Sequence, residues 1–119
     1  ELSAWVWRVS AHASWRHITG PEAFWSVAVP AAALKSAIIT LEQQHPLGRL
    51  FDLDVLQADG RSLSRREFDL APRRCLICDE LAAVCGRSRR HSNEELQVRI
   101  RQILHTYLST QEERHVCTV

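Results

Sequence analysis

The sequence predicts an α+β fold, a small antiparallel or mixed sheet with packed helices. Strand-like and helix-like patterns interleave along the chain, yet the strand candidates are short and pair as hairpins, which favours α+β over a long parallel sheet. With 119 residues, 45% of them hydrophobic and 24% charged, the chain has room for one domain spanning 1–119 and none for a multidomain enzyme.

Between Ala4 and Ser10, Trp5, Trp7 and Val9 occupy alternate positions, and after the Thr19-Gly20-Pro21 breaker an apolar stretch runs from Ala23 to Val29. These read as two paired strands. Pro30 sits where a first helical turn tolerates it, and Leu34, Ala37, Ile38 and Leu41 repeat at helical spacing until Pro46, so a helix buries that stripe. A strand over Leu50 to Leu56, the Asp59-Gly60 turn and a return over Arg61 to Ser64 form the second predicted hairpin. Asp79 is available to cap a short helix over Glu80 to Gly86. Ser92 and Glu95 spell a capping box for a last helix whose stripe is Leu96, Ile100, Ile103, Leu104, Tyr107 and Leu108; it is expected to end near Ser109, with a frayed tail from about residue 110.

Lys+Arg 15 against Asp+Glu 14 leaves a formal charge of +1, so any anion site must be local. No nucleic-acid recognition motif is present, and no apolar run approaches the ~20 residues of a bilayer span. The expectation is a cytoplasmic protein with neither nucleic acid nor membrane as partner. The chain opens on Glu1 and has no Met, which suggests an N-terminally truncated piece. Three of its four Cys fall within eleven residues, a spacing that suits metal ligands or buried thiols better than a secreted disulfide framework.

The richest stretch for chemistry is His45-Pro46-Leu47-Gly48-Arg49-Leu50-Phe51-Asp52-Leu53-Asp54-Val55. In a strand Asp52 and Asp54 share one face while Phe51, Leu53 and Val55 point to the core, and a Cα separation of roughly 6 to 7 Å lets both carboxylates lean onto one Mg²⁺. A solvated edge is the alternative for an isolated pair of this kind. The neighbourhood favours the metal: Gly48 loosens the turn, and Arg49, Arg65, Arg66, Arg73 and Arg74 offer guanidinium forks for phosphate oxygens. From Arg61 to His91 eight Arg face four acids, so an anion is expected here, with Arg66, Arg89 and Arg90 read as solvated or paired to local acids. His45 is either a general base near the carboxylates or a partner for the carbonyls that end the preceding helix.

Cys75, Cys78, Cys85 and His91 have the softness and number of donors for a tetrahedral Zn²⁺; the alternative is three small buried thiols packed on a short helix. Trp5, Trp7, Trp15 and Trp25 stand apart from the Arg-rich stretch and read as core or interface anchors.

These residues resemble a specific family. Thr19-Gly20-Pro21-Glu22, the run from His45 to Leu56, Leu63-Ser64-Arg65-Arg66, Pro72-Arg73-Arg74-Cys75-Leu76-Ile77-Cys78, and Ala82-Ala83-Val84-Cys85-Gly86-Arg87 with His91 are similar to the holo-citrate lyase synthases, the apo-citrate lyase phosphoribosyl-dephospho-coenzyme A transferases called CitX. Where that family often has Pro before Ala-Ala-Val-Cys, this chain has Leu81. The resemblance covers about Trp5 to Leu104. It implies a nucleotidyltransferase-like enzyme that moves the phosphoribosyl-dephospho-CoA unit from 2'-(5''-triphosphoribosyl)-3'-dephospho-CoA to a serine of the citrate lyase acyl carrier protein (the gamma subunit), releasing pyrophosphate. Asp52, Asp54 and Arg49 would be catalytic, with Mg²⁺ on the two carboxylates, and Gly48, His45, Arg65, Arg73, Arg74 and Arg87 would bind substrate. The competing expectation is a non-catalytic module that docks the carrier protein or a nucleotide and holds a structural zinc.

Overall fold

The computed structural model describes residues 7–116. Two antiparallel strands, β1 (Val9–His17) and β2 (Gly20–Val27), make the one sheet found among them. Three helices follow, α1 (Ala31–Gln44), α2 (Ala82–Ser88) and α3 (Asn93–Val116), with short 3₁₀ turns at Gly48–Leu50 and Arg65–Phe68. This is α+β, as the patterning predicts.

The first hairpin lies later in the chain than the alternation at Ala4 to Ser10 suggests, and the part of that reading before residue 7 falls outside the described residues. Thr19-Gly20 closes the hairpin. Neither Ile18 nor Thr19 takes a positive φ, and Gly20 supplies it at 129°. Pro21 has no N–H to donate and pairs with Arg16 inside a two-stranded ribbon, where both strands are edges. The register shifts between Val9 and Ala11, and Ser10 at the irregularity donates to the Ser26 carbonyl at 3.2 Å.

Cross-strand rings hold the ribbon together. Trp15 meets Phe24 edge-on at 5.4 Å, and His12 stacks on Trp25 at 5.2 Å. Both indoles stay about half exposed, at 46% and 55%, so Trp15 and Trp25 are not core residues; Trp7 is half-buried and Trp5 lies outside the described residues. The hairpin contributes little to the interior. The radius of gyration, 16.9 Å, accordingly exceeds the about 13.5 Å typical of a compact chain of this length.

The core sits further along. Its most buried apolar side chains among the described residues are Ile39 of α1, Val55, Leu63 and Cys85 of α2. On α1 the deepest positions are Lys35, Ile39 and Glu42, not the expected stripe, whose Leu41 is exposed. The helix turns a carboxylate inward because two arginines meet it there.

The second predicted hairpin is reduced to one bridge, Leu56 to Ser62, with Leu63 N–H donating to the Val55 carbonyl at 2.9 Å. Phe51 to Val55 is extended without a strand partner. Its burial still alternates, with Phe51, Leu53 and Val55 inward and Asp52 and Asp54 exposed.

Helix α2 starts at Ala82 with Leu81, not Asp79, at its N-cap. The Leu81 N–H is taken by the Glu80 carboxylate at 2.9 Å, and Arg74 bridges Leu81, so this loop is set by pairing across it. The Ser92/Glu95 box opens α3 as expected: Glu95 N–H donates to Ser92 Oγ at 3.1 Å and Ser92 N–H to Glu95 Oε2 at 2.7 Å. The helix then passes the expected end at Ser109 and reaches Val116. Thr106, Ser109 and Thr110 each bond a carbonyl four residues back, so polar side chains here continue the helix.

Candidate functional site

Glu42 organises the region below the helices. Its side chain is only 6% exposed, and its two oxygens divide between two guanidiniums: Arg65 Nη1 donates to Oε2 at 2.8 Å, and Arg73 Nη2 pairs with Oε1. Arg73 also donates through Nη1 to the Phe51 carbonyl at 2.8 Å, which anchors the chain just before Asp52. One buried carboxylate thus ties α1 to the turn at Arg65–Phe68 and to the Cys-rich loop. Sequence reasoning did not single out Glu42 as a site residue. Its signal was the surplus of Arg nearby, for which an acid on the preceding helix is a natural partner.

Gly48 lies under the same residue. A Cβ there would fall 1.9 Å from the Glu42 carbonyl oxygen, so the turn after α1 can pack this closely only with glycine. The Gly48 N–H is taken by the His45 carbonyl at 2.8 Å. His45 does not offer its ring to the carbonyls that end α1. Nδ1 accepts the Leu47 N–H at 3.0 Å, which puts the proton of the neutral ring on Nε2, and the ring packs 5.1 Å from Phe51 and 5.7 Å from Tyr107. The backbone N–H of His45 caps α1 instead, on the Leu41 carbonyl.

A cleft of about 800 Å³ opens between the Cys-rich loop, α2 and the start of α3. Arg49, Arg73, Arg74 and Arg89 line it, together with Cys75, Cys85 and His91, and no carboxylate does. Arg73 pairs with Glu42, whereas Arg49, Arg74 and Arg89 form no ion pair among the described residues. Backbone carbonyls orient two of them: Arg49 donates to the Arg74 carbonyl, and Arg74 to that of Asp79. Arg89, at the C-cap of α2, holds a left-handed backbone at φ 46°. Fixed guanidiniums without acids make a site for a polyanion.

Asp52 and Asp54 stand exposed on the extended segment beside Arg73 and are not part of the cleft lining; neither are Gly48, His45, Arg65, Arg87 or Cys78. Neither carboxylate forms a side-chain ion pair among the described residues, and both are hard oxygen donors of the kind divalent cations take. Among the described residues Arg66, Arg89 and Arg90 are all exposed and without an ion pair, and the arginines that meet acids are Arg61, on Glu67, with Arg65 and Arg73.

A thiol–imidazole cluster backs the wall of the cleft, with Cys75, Cys85 and His91 lining it and Cys78 behind them. One donor atom from each of Cys75, Cys78, Cys85 and His91 lies within 4.8 Å of all the others. The N–H groups of Cys78 and Ile77 draw the Cys75 thiol down to about 6, while burial pushes that of Cys85 up to about 12.

Fold and site together define a class: a small α+β protein with an arginine-lined cleft suited to phosphate-bearing ligands. Residues 1–107 match the family model for apo-citrate lyase phosphoribosyl-dephospho-CoA transferase, CitX, and the chain belongs to that family. A protein of that name from Citrobacter koseri is 48% identical over 99 residues, 83% of this chain and 54% of its own length. Proteins of the same name from Escherichia coli O9:H4 and Shigella boydii serotype 18 are each 47% identical over 98 residues, 82% of this chain and 54% of theirs. The chain therefore spans about half the length of the curated relatives it matches. No helix among the described residues is long and apolar enough to cross a membrane.

Proposed function

We propose that this chain carries the phosphate-handling part of a transferase that attaches the phosphoribosyl-dephospho-CoA prosthetic group to the citrate lyase acyl carrier protein. The observation that carries the reading is the cleft in which Arg49, Arg74 and Arg89 converge without a carboxylate, in a chain 48% identical to a protein named for this transfer. The carrier serine oxygen attacks the α-phosphate of the triphosphoribosyl precursor; the new P–O bond forms as the bond to the β-phosphate breaks, and pyrophosphate leaves. The serine gives up its proton to a general base as the bond forms. Arg49 and Arg74, oriented by main-chain carbonyls, hold the pyrophosphate and take up the charge it gains. Asp52 and Asp54 would hold Mg²⁺, which when bound would supply positive charge at the attacked phosphate. Gly48 lets the Arg49 turn close on α1, and Arg73, which shares Glu42 with Arg65, holds the Phe51 carbonyl just before the two aspartates. The overall reaction is that of a nucleotidyltransferase. Free thiols at Cys75, Cys78 and Cys85 suit a reducing compartment and support a cytoplasmic setting.

The non-catalytic alternative, a carrier-protein or nucleotide-binding module with a structural zinc, is not favoured by the names of the relatives. Incubation of apo acyl carrier protein with this chain, Mg²⁺ and the triphosphoribosyl precursor tests the proposal. A gain of the prosthetic-group mass with stoichiometric pyrophosphate supports it. An unmodified carrier, beside a full-length family member that works in the same tube, refutes transfer by this chain.

A further inference from the structure

We propose that Cys75, Cys78, Cys85 and His91 bind one Zn²⁺, and that this ion fastens the wall of the arginine cleft. In tetrahedral zinc sites Zn–S is ~2.3 Å and Zn–N ~2.0 to 2.1 Å, which sets neighbouring ligand atoms about 3.5 to 3.8 Å apart. Here Cys78 Sγ lies 3.5 Å from Cys85 Sγ and 3.3 Å from His91 Nε2, and every pair within the four falls inside 4.8 Å. Side-chain shifts of about 1 Å or less, which draw the widest pair together and open the nearest slightly, convert this cluster into a three-thiolate, one-imidazole site.

A disulfide does not explain the cluster, since the two nearest sulfurs are well beyond the ~2.05 Å of a bond and all three cysteines are free. Nor does apolar packing, since an imidazole nitrogen points at a thiol and only Cys85 is buried. The Ile77 N–H already donates to Cys75 Sγ at 3.4 Å, the kind of backbone support that orients a ligating sulfur.

The placement gives the ion its role. Cys75 and Cys78 come from an irregular loop, Cys85 from the seven-residue α2, and His91 from the link between α2 and α3. A helix of two turns has little stability of its own. Other ties across this region are the Cys75 N–H to the Glu80 carbonyl at 2.7 Å, the Ala82 N–H to that of Arg73 at 3.0 Å, and Arg99 Nε to that of Leu76 at 3.2 Å. A four-point metal joint fixes Arg74, next to Cys75, and Arg89, at the end of α2, in one frame.

The test uses the reduced chain as purified without chelator. Elemental analysis is expected to give one zinc per chain, and titration with an organomercurial to release it as three thiolates react. Replacement by Co²⁺ should produce the intense d–d and thiolate charge-transfer bands of a tetrahedral site. Cys85→Ser and His91→Gln are each expected to weaken zinc binding more than about 100-fold, beyond the usual loss from removing a supporting group. Substoichiometric zinc together with no cobalt spectrum on direct titration of the wild-type chain would overturn the site, whether or not the variants fold. Stoichiometric zinc whose removal by chelator leaves the thermal midpoint and the helical circular dichroism unchanged would overturn the fastening role.

Discussion

Glu42 gives one carboxylate oxygen to Arg65 and the other to Arg73, so a single buried acid on α1 sets two segments that each lie more than twenty residues further along the chain. Removing its charge leaves two guanidiniums facing an amide. Glu42→Gln is expected to cost about 3 kcal/mol, the low end for breaking a buried pair, because both arginines keep some contact with water. Urea unfolding of the two proteins measures it; a change under about 0.5 kcal/mol, the size of an ordinary surface substitution, would contradict the bracing role.

Gly48 makes the complementary contact on the main chain of the same residue. Its replacement by Ala forces a methyl into the Glu42 carbonyl, where backbone rather than a flexible side chain must yield. A loss of about 2 kcal/mol or more is expected on overpacking grounds. A thermal midpoint within a degree of wild type would show that the turn relaxes freely.

Asp52 and Asp54 are exposed and form no ion pair among the described residues, so replacing either is expected to cost the fold little. Asp52→Asn and Asp54→Asn should leave the unfolding midpoint in place and abolish transfer to the carrier protein. Wild-type transfer rates in either variant would remove the carboxylates from the reaction.

Arg74 lines the cleft with no acid paired to it among the described residues, and a hydrogen bond to a charged group contributes about 1.5 to 3 kcal/mol. Arg74→Ala should therefore weaken pyrophosphate binding by roughly 10- to 100-fold in calorimetry, whereas exposed Arg66→Ala, outside the cleft, should not. Equal losses in both would make the effect one of overall charge.

Glu67 supplies a pH-dependent joint. The Ser64 N–H at 2.9 Å, and then Arg61 at 3.1 Å, lower its carboxyl below the ordinary value of 4.5. Its contribution to stability is complete above that ordinary value and disappears as pH falls through the lowered one. The stability difference between wild type and Glu67→Gln should be constant at neutral pH and shrink in acid. A difference that grows as pH falls would reverse the assignment.

Much of this was legible in the sequence because it depends on neighbours along the chain. The Ser92/Glu95 box marked the start of α3, Gly20 marked a tight turn, and Phe51 to Val55 alternates inward and outward even without a strand partner, since extended backbone alone imposes that period. The ends were less legible: α3 runs on through Thr110 because hydroxyls bond back along a helix already formed. Family membership was legible too, carried by long local runs around Gly48 and Cys75.

Tertiary structure decided which of many candidate residues share a place. Of the eight arginines between Arg61 and His91, the sequence pointed to Arg65, Arg73, Arg74 and Arg87 for substrate and to Arg89 as solvated or paired; packing commits Arg65 and Arg73 to Glu42 and leaves Arg74 and Arg89 facing the cleft. It also brought Cys78 to His91 across thirteen positions and left Asp52 and Asp54 outside the cleft lining. Sequence spacing fixes what a few residues can do together on one helix or strand. Partners across a loop depend on how each segment buries its apolar side chains, and that balance is settled only when the whole chain packs.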